Sequence, residues 1–467
     1  MTCSLFDRRG SRRRCAALFG SSLVLFTLPV PLSAQTLQDA LAQAYANNPS
    51  LAAQRARLRA VDEQVPQALS GYRPNVSVSA SIGREIDSQR TSVGRVGSET
   101  NPKQLSLSAT QPIYDATVAP AVRRAESTVE AQRATLLGAE QEVLLNAAVA
   151  YLDVVQDQEV LALTTNNEHV LQRQLAAARD RYKAGEYTRT DVAQAESRLA
   201  EAVASRHTAT GTLESARAAY ARVIGTPPGG KLAFPKTVAK LPATLDEAVE
   251  AARANNPSVL AASYGEQAQR HAVDQQYGRL MPSVSLSASA NHVVDPGRSN
   301  GIDYERENSL TIGLRLTIPL YQAGLPEAQV REAKHTANQQ RMQVDDTRRR
   351  VGETTVTAWQ ALQTAHAGIE SYRSQIKSAE TALDGVKQEA KVGSRTVLDV
   401  LNQEQELLNA RVNLVRAQHD EVEATFQLLA ATGQMNSEQL ALPVQRYDAK
   451  AHYKKTRNRW FGTGTGD

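Results

Sequence analysis

The stretch RYKAGEYTRTDVAQAE at residues 181–196 returns 208 positions later as EAKVGSRTVLDVLNQE at residues 389–404. A Lys, a Gly, a Thr, an Asp, a Val and a final Glu keep the same register in both stretches. Gly185 and Gly393 can adopt the positive φ that ends a helix. Each stretch therefore predicts a turn between two helices, and the chain makes the same helical hairpin twice. The candidate N-caps of the second helices are Thr188, Thr190 and Thr396, with Asp191 in or near a first turn.

Other landmarks repeat at the same spacing. TLQDALAQAYANNPSL (36–51) and TLDEAVEAARANNPSV (244–259) are identical at nine of 16 positions and also lie 208 residues apart. PNVSVSASI (74–82) and PSVSLSASA (282–290) form a further pair. This shared order predicts two tandem structural repeats rather than a chance similarity between Ala-rich helices. The resulting division is a leader at 1–34, repeats at 35–242 and 243–441, and a polar, basic tail at 442–467 that we expect to be flexible.

Each repeat contains two segments in which apolar and small polar residues alternate. In NVSVSASI (75–82), Val76 and Val78 would point to one side and the serines to the other, which is the period of a β-strand. One apolar and one serine-rich face favours a wall between lipid and water over a soluble sheet that rests on helices. The predicted strands are at about 74–86, 103–115, 282–294 and 308–320, and the polar, Gly-rich segments between paired strands are predicted hairpin loops.

Two very long helical segments are predicted at about 119–224 and 326–432, each interrupted by one of the quoted turns. No proline interrupts residues 121–183, which would form a helix of roughly 95 Å. Apolar residues recur every seven positions, and such a repeat implies a left-handed supercoil. The heptad residues are Leu401, Leu408, Val415, Val422 and Leu429 in the second repeat and Val129, Leu136 and Val143 in the first.

The first 34 residues have the order of a secretory signal peptide. Arginines precede a mostly apolar run at 16–30, and the small residues of PLSAQ follow, so cleavage is expected after Ala34. Both cysteines lie in this leader, so the exported chain would have no disulfide and no cysteine to carry a lipid. Five arginines and one aspartate of the leader account for the formal net charge of +4. The rest of the chain is near neutral, which removes the main support for nucleic-acid binding.

The sequence offers little for catalysis. Its eight histidines are scattered and form no HExxH pair or other metal-ligand cluster. Without a cysteine after the leader, a thiol nucleophile is excluded. We therefore predict that the chain is not an enzyme and needs neither a metal nor a cofactor.

Four strands per chain are too few to close a barrel, because closed barrels need about eight strands or more. Unpaired strand edges are not tolerated in lipid, so several copies of the chain are expected to share one barrel. The tandem repeat, the Asn-Asn-Pro landmarks, the serine-alternating strands and the two quoted turns resemble the TolC family of trimeric outer-membrane channels. The resemblance covers essentially residues 36–441.

The resemblance implies a mainly α chain with a small β part. The expected fold is a TolC-like joint β/α barrel with four strands plus long coiled-coil helices per protomer, assembled as a homotrimer. The strands of three copies would cross the outer membrane, and the helices would continue as a tunnel through the periplasm.

The implied function is an outer-membrane channel-tunnel for multidrug efflux or type I secretion. It would carry drugs, secreted proteins or both from an inner-membrane transporter, with a periplasmic adaptor protein as a second partner. Unlocking of the helical hairpins would open its periplasmic mouth. The alternative is a non-channel periplasmic coiled-coil scaffold, which should be soluble without detergent.

The resemblance also assigns roles to residues of the two turns, because the hairpins of TolC-like channels close the periplasmic mouth. The gate lock is assigned to Thr190, Asp191 and Arg395, and the pore constriction to Asp399 and Asn402. The adaptor-docking hairpin tips are assigned to Gly185, Glu186, Gly393 and Ser394. A charge-assisted arginine contact can hold such a gate and still break when a partner docks.

Two positions depart from the best-described member of that family. Ala390 stands where that member has a tyrosine, so a hydrogen bond to Asp191 is lost unless Tyr182 or Tyr187 substitutes. Asn402 stands where that member has the second of two aspartates. Three chains would then place three carboxylates at the constriction instead of six. We expect a cation-selective pore with weaker block by multivalent cations.

Overall fold

The computed structural model describes residues 36–92, 94–235, 241–299 and 302–465, and the two repeats have a similar succession of elements within them. The leader predicted at 1–34 lies outside the described residues. The first repeat contains α1 (Leu37–Asn47), α2 (Pro49–Asp62), α3 (Gln64–Leu69), a 3-10 turn (Ser70–Tyr72), β1 (Asn75–Ile82), β2 (Glu85–Thr91), β3 (Gly94–Thr100), β4 (Lys103–Asp115), α4 (Val118–Lys183) and α5 (Arg189–Ile224). The second contains α6 (Leu245–Asn255), α7 (Pro257–Gly278), β5 (Ser283–Ser299), β6 (Ile302–Thr317), α8 (Leu325–Lys391) and α9 (Val397–Ala431), and α10 (Ala451–Thr456) follows.

Asn48 and Asn256 explain why the Asn-Asn-Pro landmark occurs twice. Each side-chain oxygen accepts a backbone N–H at 2.9 Å in the first turn of the helix that begins at the following proline. Asn48 Nδ2 also donates to Val223 O at 3.1 Å, at the end of α5. Asn256 Nδ2 donates in the same way to Ala431 O at 2.9 Å, at the end of α9. The landmark therefore ties the helix break of each repeat to the end of its long hairpin.

The helices α4 and α8 dominate the molecule. They have 66 and 67 residues, which at about 1.5 Å per residue gives each a length of about 100 Å. The shorter α5 returns along α4, α9 returns along α8, and α7 packs against both α4 and α8. Within the described residues, none of the helices has an apolar stretch long enough to cross a membrane.

Alanines seven residues apart line the contacts of the returning helices. In α4 the predicted heptad residues are buried, and their column continues at the same spacing to Ala178. In α9 the predicted Leu401 and Leu429 are buried, whereas Leu408, Val415 and Val422 between them are half-buried. The distance between helix axes depends on the side chains at the contact, and alanine permits the closest approach. The buried alanine columns are Ala195, Ala202 and Ala209 in α5 and Ala410, Ala417, Ala424 and Ala431 in α9.

The main sheet is antiparallel with the strand order β1-β4-β5-β6. The outer strands β1 and β6 therefore each have one strand neighbour among the described residues. Asn75 lies opposite Thr110, and Ser283 lies opposite both Asp115 and Thr317. The register therefore places every connection between a strand and a helix at the same end of the strands, which we call the helical end of the sheet.

The segments predicted as hairpin loops are strands in the structure. β2 and β3 form a separate two-stranded ribbon beyond β1 and β4, paired from Glu85 opposite Thr100 to Thr91 opposite Gly94. In the second repeat β5 continues to Ser299 and β6 already begins at Ile302. β6 ends at residue 317, before the predicted limit of 320. The prediction was wrong because it searched only for alternating apolar residues. Polar segments that are exposed on both faces also form strands, since hydrogen bonds between the strands satisfy their backbone groups.

The two faces of the main sheet differ as the alternation predicts. On the small polar face, the hydroxyls of Ser77 and Ser108 lie 2.8 Å apart, and Ser106 Oγ donates to Asn291 Oδ1 at 2.6 Å. The other face is apolar and solvent-exposed in the single chain. Its most exposed members are Ile82 at 80%, Leu310 at 73%, Leu314 at 69%, Val78 at 68% and Ile312 at 67%.

The tail that we expected to be flexible is packed against the first repeat. Leu442 is buried in the largest apolar cluster, which also holds residues of α1, α4 and α5. The backbone N–H of Tyr447 donates to Tyr45 Oη at 3.1 Å, and His452 Nδ1 lies 3.1 Å from Asp62 Oδ2. The prediction was wrong because polar composition indicates flexibility only where the polar groups find no partners elsewhere in the chain.

Candidate functional site

The first hairpin ends α4 and begins α5 with two complementary caps. Gly185 has a φ of 79°, and the backbone N–H of Glu186 donates to a carbonyl in the last turn of α4 at 2.9 Å. The backbone N–H of Asp191 donates to Thr188 Oγ1 at 3.3 Å, and the backbone N–H of Thr188 donates to Asp191 Oδ2 at 2.9 Å. This reciprocal pair is a capping box, so Thr188 is the N-cap and Thr190 lies inside the helix.

The second hairpin repeats this geometry. Gly393 has a φ of 78°, and the backbone N–H of Ser394 donates to Glu389 O at 3.0 Å. Thr396 and Asp399 form the capping box of α9, with backbone-to-side-chain hydrogen bonds of 3.2 and 2.9 Å. The repeated sequence at the two turns therefore encodes the same pair of helix caps.

Neighbouring groups keep two residues of the second hairpin, Asp399 and Arg395, in their charged forms. Hydrogen bonds from the backbone N–H and then the hydroxyl of Thr396 lower the pKa of Asp399, and the charge of Arg395 acts in the same direction. The pKa of Arg395 is raised, first by its hydrogen bond to Glu389 and then by the charges of Glu389 and Asp399. Arg395 Nε lies 2.9 Å from Glu389 Oε2. The turn therefore presents a stable anion and a stable cation near each other.

The structure does not bring the three predicted lock residues together within one chain. In the described part of the chain, Arg395 pairs with Glu389 of its own hairpin and not with Asp191. The Asp191 carboxylate instead accepts hydrogen bonds from Thr188. Sequence reasoning named Thr188 among the candidate N-caps but missed its pairing with Asp191, although the Thr-x-x-Asp spacing is a recognisable signature of the capping box. It also missed Glu389 as the partner of Arg395.

Asn402 has a partner that the sequence did not suggest. Arg198 Nη2, on α5, donates to Asn402 Oδ1 on α9 at 2.8 Å. This hydrogen bond joins the two hairpins of one chain. Its two residues are 204 positions apart, so no local sequence signal identifies the pair.

The two hairpins lie side by side and leave a cleft of about 250 Å³ between them. Ala390 of the second hairpin lines this cleft opposite Arg181 and Tyr187 of the first. Arg181 Nη1 donates to Tyr187 Oη at 2.7 Å, and its guanidinium carbon lies 5.2 Å from the centre of that ring. Tyr187 therefore contacts Arg181 rather than Asp191, and Tyr182 is 48% exposed.

A second polar cluster lies on the contact between α4 and α9. The buried His419 has Asp153 Oδ1 at 3.0 Å from Nε2 and Asp420 Oδ1 at 3.1 Å from Nδ1. Burial lowers the pKa of His419, but its hydrogen bonds to Asp153 and Asp420 outweigh burial and the pKa is raised. Donor atoms of His419, Asp420 and Glu423 lie within 4.8 Å of one another. Two carboxylate contacts nevertheless favour a proton on each ring nitrogen, which leaves no lone pair for a metal.

Comparisons with known proteins agree with this architecture. The family model described as "Outer membrane efflux protein" matches residues 40–226 and 248–434, one match in each repeat. The chain is 38% identical over 435 residues to the outer membrane efflux protein BepC of Brucella suis, covering 93% of each chain. It is 25% identical to the outer membrane protein TolC of Escherichia coli, covering 87% of this chain and 84% of TolC. The crystal structure of the outer membrane protein VceC of Vibrio cholerae superposes with a TM-score of 0.74 at 21% identity, covering 85% and 96%.

The fold and its hairpins thus define the class of outer-membrane channel proteins, with a small sheet and long helices that extend into the periplasm. The chain belongs to the outer membrane efflux protein family. The resemblance inferred from the repeat and the turns is confirmed.

Proposed function

We propose that the chain is one protomer of a homotrimeric outer-membrane channel-tunnel. It carries drugs, secreted proteins or both from an inner-membrane transporter across the periplasm and the outer membrane. One observation carries this proposal: a four-stranded sheet with an exposed apolar face and two outer strands, β1 and β6, is joined at one end to helices about 100 Å long. Three copies pair these outer strands with one another, close one barrel and satisfy the edges that lipid would leave unpaired.

The hairpin ends form the gate in this proposal. Thr190 and Asp191 of one copy engage Arg395 of a neighbouring copy when the periplasmic mouth is shut. Arg395 is about half exposed and keeps its positive charge, which supports an additional partner beyond Glu389. Because such contacts at a surface are individually weak, a docking partner can exchange them for its own.

The constriction is formed by Asp399 with Asn402 one turn further along α9. The lowered pKa of Asp399 supports a fixed negative charge at this position. Asn402 is uncharged, and its hydrogen bond from Arg198 helps to join the two hairpins. A ring of three carboxylates from three copies makes the pore cation-selective.

The exposed tips of the hairpins form the docking surface for a periplasmic adaptor protein. The tip residues are Gly185, Glu186, Gly393 and Ser394, all of them exposed. Both glycines have open space where a side chain would begin, so a partner backbone can approach them closely.

The test uses the purified full chain in planar bilayers and in the cell. The protein should require detergent, have the mass of three chains and conduct ions with a preference for cations. Deletion of its gene should raise drug sensitivity or remove proteins from the secreted fraction, and the gene should restore the lost property. A water-soluble monomer that leaves bilayers non-conducting would reject the channel in favour of a periplasmic coiled-coil scaffold.

A further inference from the structure

The segment 442–465 runs along the first repeat toward the helical end of the sheet. Its contacts advance with the chain: Tyr447 meets α1, and His452 meets Asp62 at the end of α2. Further on, Arg73 Nη1 donates to Arg459 O at 2.7 Å. Arg73 lies two positions before the first residue of β1. The segment therefore ends at the boundary between helices and sheet.

Two aromatic side chains are held at this boundary and face outward. The guanidinium carbon of Arg73 lies 4.9 Å from the centre of the Trp460 ring. The rings of Trp460 and Phe461 are 6.4 Å apart and are 58% and 86% exposed. Val76, the first apolar residue of β1, is 62% exposed on the apolar face of the sheet. An exposed aromatic pair therefore lies beside Arg73, two positions before β1, at the helical end of the sheet.

Basic residues accompany the aromatic pair. Lys454 and Lys455 are exposed, and neither forms an ion pair within the described part of the chain. Arg457 is held by Glu126 Oε1 at 3.0 Å, and Arg459 donates to carbonyls of its own segment. Two uncompensated positive charges therefore lie within seven positions of Phe461.

We propose that this C-terminal segment docks on the periplasmic leaflet of the outer membrane. Trp460 and Phe461 enter the interfacial layer, where amphipathic rings are favoured, and Lys454 and Lys455 contact anionic lipid phosphates. The inference rests on the proposed function, in which the sheet spans the membrane and the helical end faces the periplasm. Lipid is the occupant that the site favours, because exposed aromatic rings and exposed lysines lie together at the level where the proposed function places the membrane boundary.

The chain allows a direct test because it has two tryptophans, Trp359 and Trp460. Trp359→Phe leaves Trp460 as the reporter at the boundary. Trp460→Phe leaves Trp359, which packs on Ala248 and Leu428 among the helices, as a matched control. Both full-length variants are reconstituted in vesicles of phosphatidylcholine and phosphatidylglycerol, with and without bromine on the acyl chains close to the headgroups.

Brominated lipid should quench the emission of Trp460 and leave the emission of Trp359 unchanged. Trp460 that stays unquenched and accessible to iodide would overturn the proposal. Blue-shifted emission without quenching would overturn it too, because another copy of the chain would then cover the ring. Ion conductance of the same vesicles separates the two hypotheses: conducting protein with unquenched Trp460 refutes only the docking, and non-conducting protein refutes the channel.

The lysines are tested by their dependence on lipid charge. Each lysine replaced by glutamine should lower the docked-to-free ratio of the segment about fivefold in anionic vesicles, since each such charge contributes about 1 kcal/mol near an anionic surface. Lys231→Gln, which removes a lysine paired with Glu159 in the helical region, is the matched control and should have no effect. Equal quenching in neutral and anionic vesicles would refute the role of Lys454 and Lys455.

Discussion

At the scale of single residues, the repeated asparagines join two helices with one side chain. Asn256 is 9% exposed and supplies both a helix cap and a hydrogen bond to Ala431 O. We expect Asn256→Ala to lower the free energy of unfolding by about 2 kcal/mol, because it removes the cap and leaves a buried carbonyl without its donor. The midpoint of thermal unfolding in detergent would measure the loss.

Asn255→Ala is the control for this substitution. Asn255 is the exposed neighbour at the end of α6, so its replacement changes the local sequence without removing the junction. A midpoint that falls equally in both variants would mean that the side chain of Asn256 has no special role. Asn48→Ala should show a smaller effect, since Asn48 is only half-buried.

Asp399 and Asp191 occupy the same position in the two capping boxes, which separates charge from capping. Asp399→Asn keeps an oxygen that can accept the Thr396 N–H and removes the charge. We expect a clear shift of the reversal potential toward weaker cation preference in a salt gradient, because the proposed constriction would lose its carboxylates. Asp191→Asn should alter how often the channel opens and leave the reversal potential unchanged. Identical selectivity in Asp399→Asn and the parent protein would remove Asp399 from the constriction.

The local chemistry of the turns could be predicted from sequence, and their partners could not. Glycine and threonine at fixed spacing specify helix caps through contacts within a few residues, as at Gly393 and Thr396. Glu389, six positions before Arg395, offered only an unremarkable charge in the sequence. The partner of Asn402 lies on another helix, so its identity depends on how the hairpins pack.

At the scale of elements, His419 connects α9 to α4 through a charge. The facing groups are Asp153 and Asp157 of α4 and Asp420 and Glu423 of α9 itself. The folded-state pKa of His419 is raised, so its contribution to stability is complete below a pH of about 6.5 and is lost as pH rises through the raised pKa. We expect the unfolding midpoint of the parent protein to fall over that range. His419→Gln should flatten this part of the profile.

The control for this pH profile is His366→Gln. His366 pairs with Glu421 at 2.9 Å, and its side chain is 71% exposed. Exposed pairs contribute little to stability, so this variant should keep the profile of the parent protein. If His419→Gln and His366→Gln had the same profile as the parent, the contact with Asp153 would not contribute the expected charge-dependent stability.

Element lengths were largely predictable, whereas contact surfaces were not. The absence of proline predicted the long α4 and α8, because nothing else ends a helix so reliably. The heptad pattern named the leucine and valine column of α9, yet the alanine column that includes Ala410 and Ala417 is buried against its neighbours. The distance between two helix axes decides which of these columns packs against the other helices of the same chain. That distance cannot be read from a single sequence.

At the scale of the whole molecule, the single chain leaves much of its sheet uncovered. Its sheet exposes an apolar face, and its outer strands β1 and β6 each lack a second neighbour among the described residues. The C-terminal segment depends on contacts with residues that are distant in the sequence. Tyr447 and its hydrogen-bond partner Tyr45 are 402 positions apart. Composition could not reveal this packing, whereas the sheet's alternation was visible because it is local.

Adjacent residues of β6 allow a test of which face meets lipid. Ile312 lies on the apolar face and Thr311 on the small polar face, and both are exposed in the protomer. An arginine on the lipid face near the middle of the bilayer costs about 2–4 kcal/mol, whereas an arginine in an aqueous lumen changes selectivity instead. Ile312→Arg should therefore reduce the amount of assembled protein in the outer-membrane fraction. Thr311→Arg should assemble normally and conduct with a weaker preference for cations. The reverse pattern would place the serine-rich face against lipid, and equal loss in both variants would show that the sheet tolerates no charge on either side.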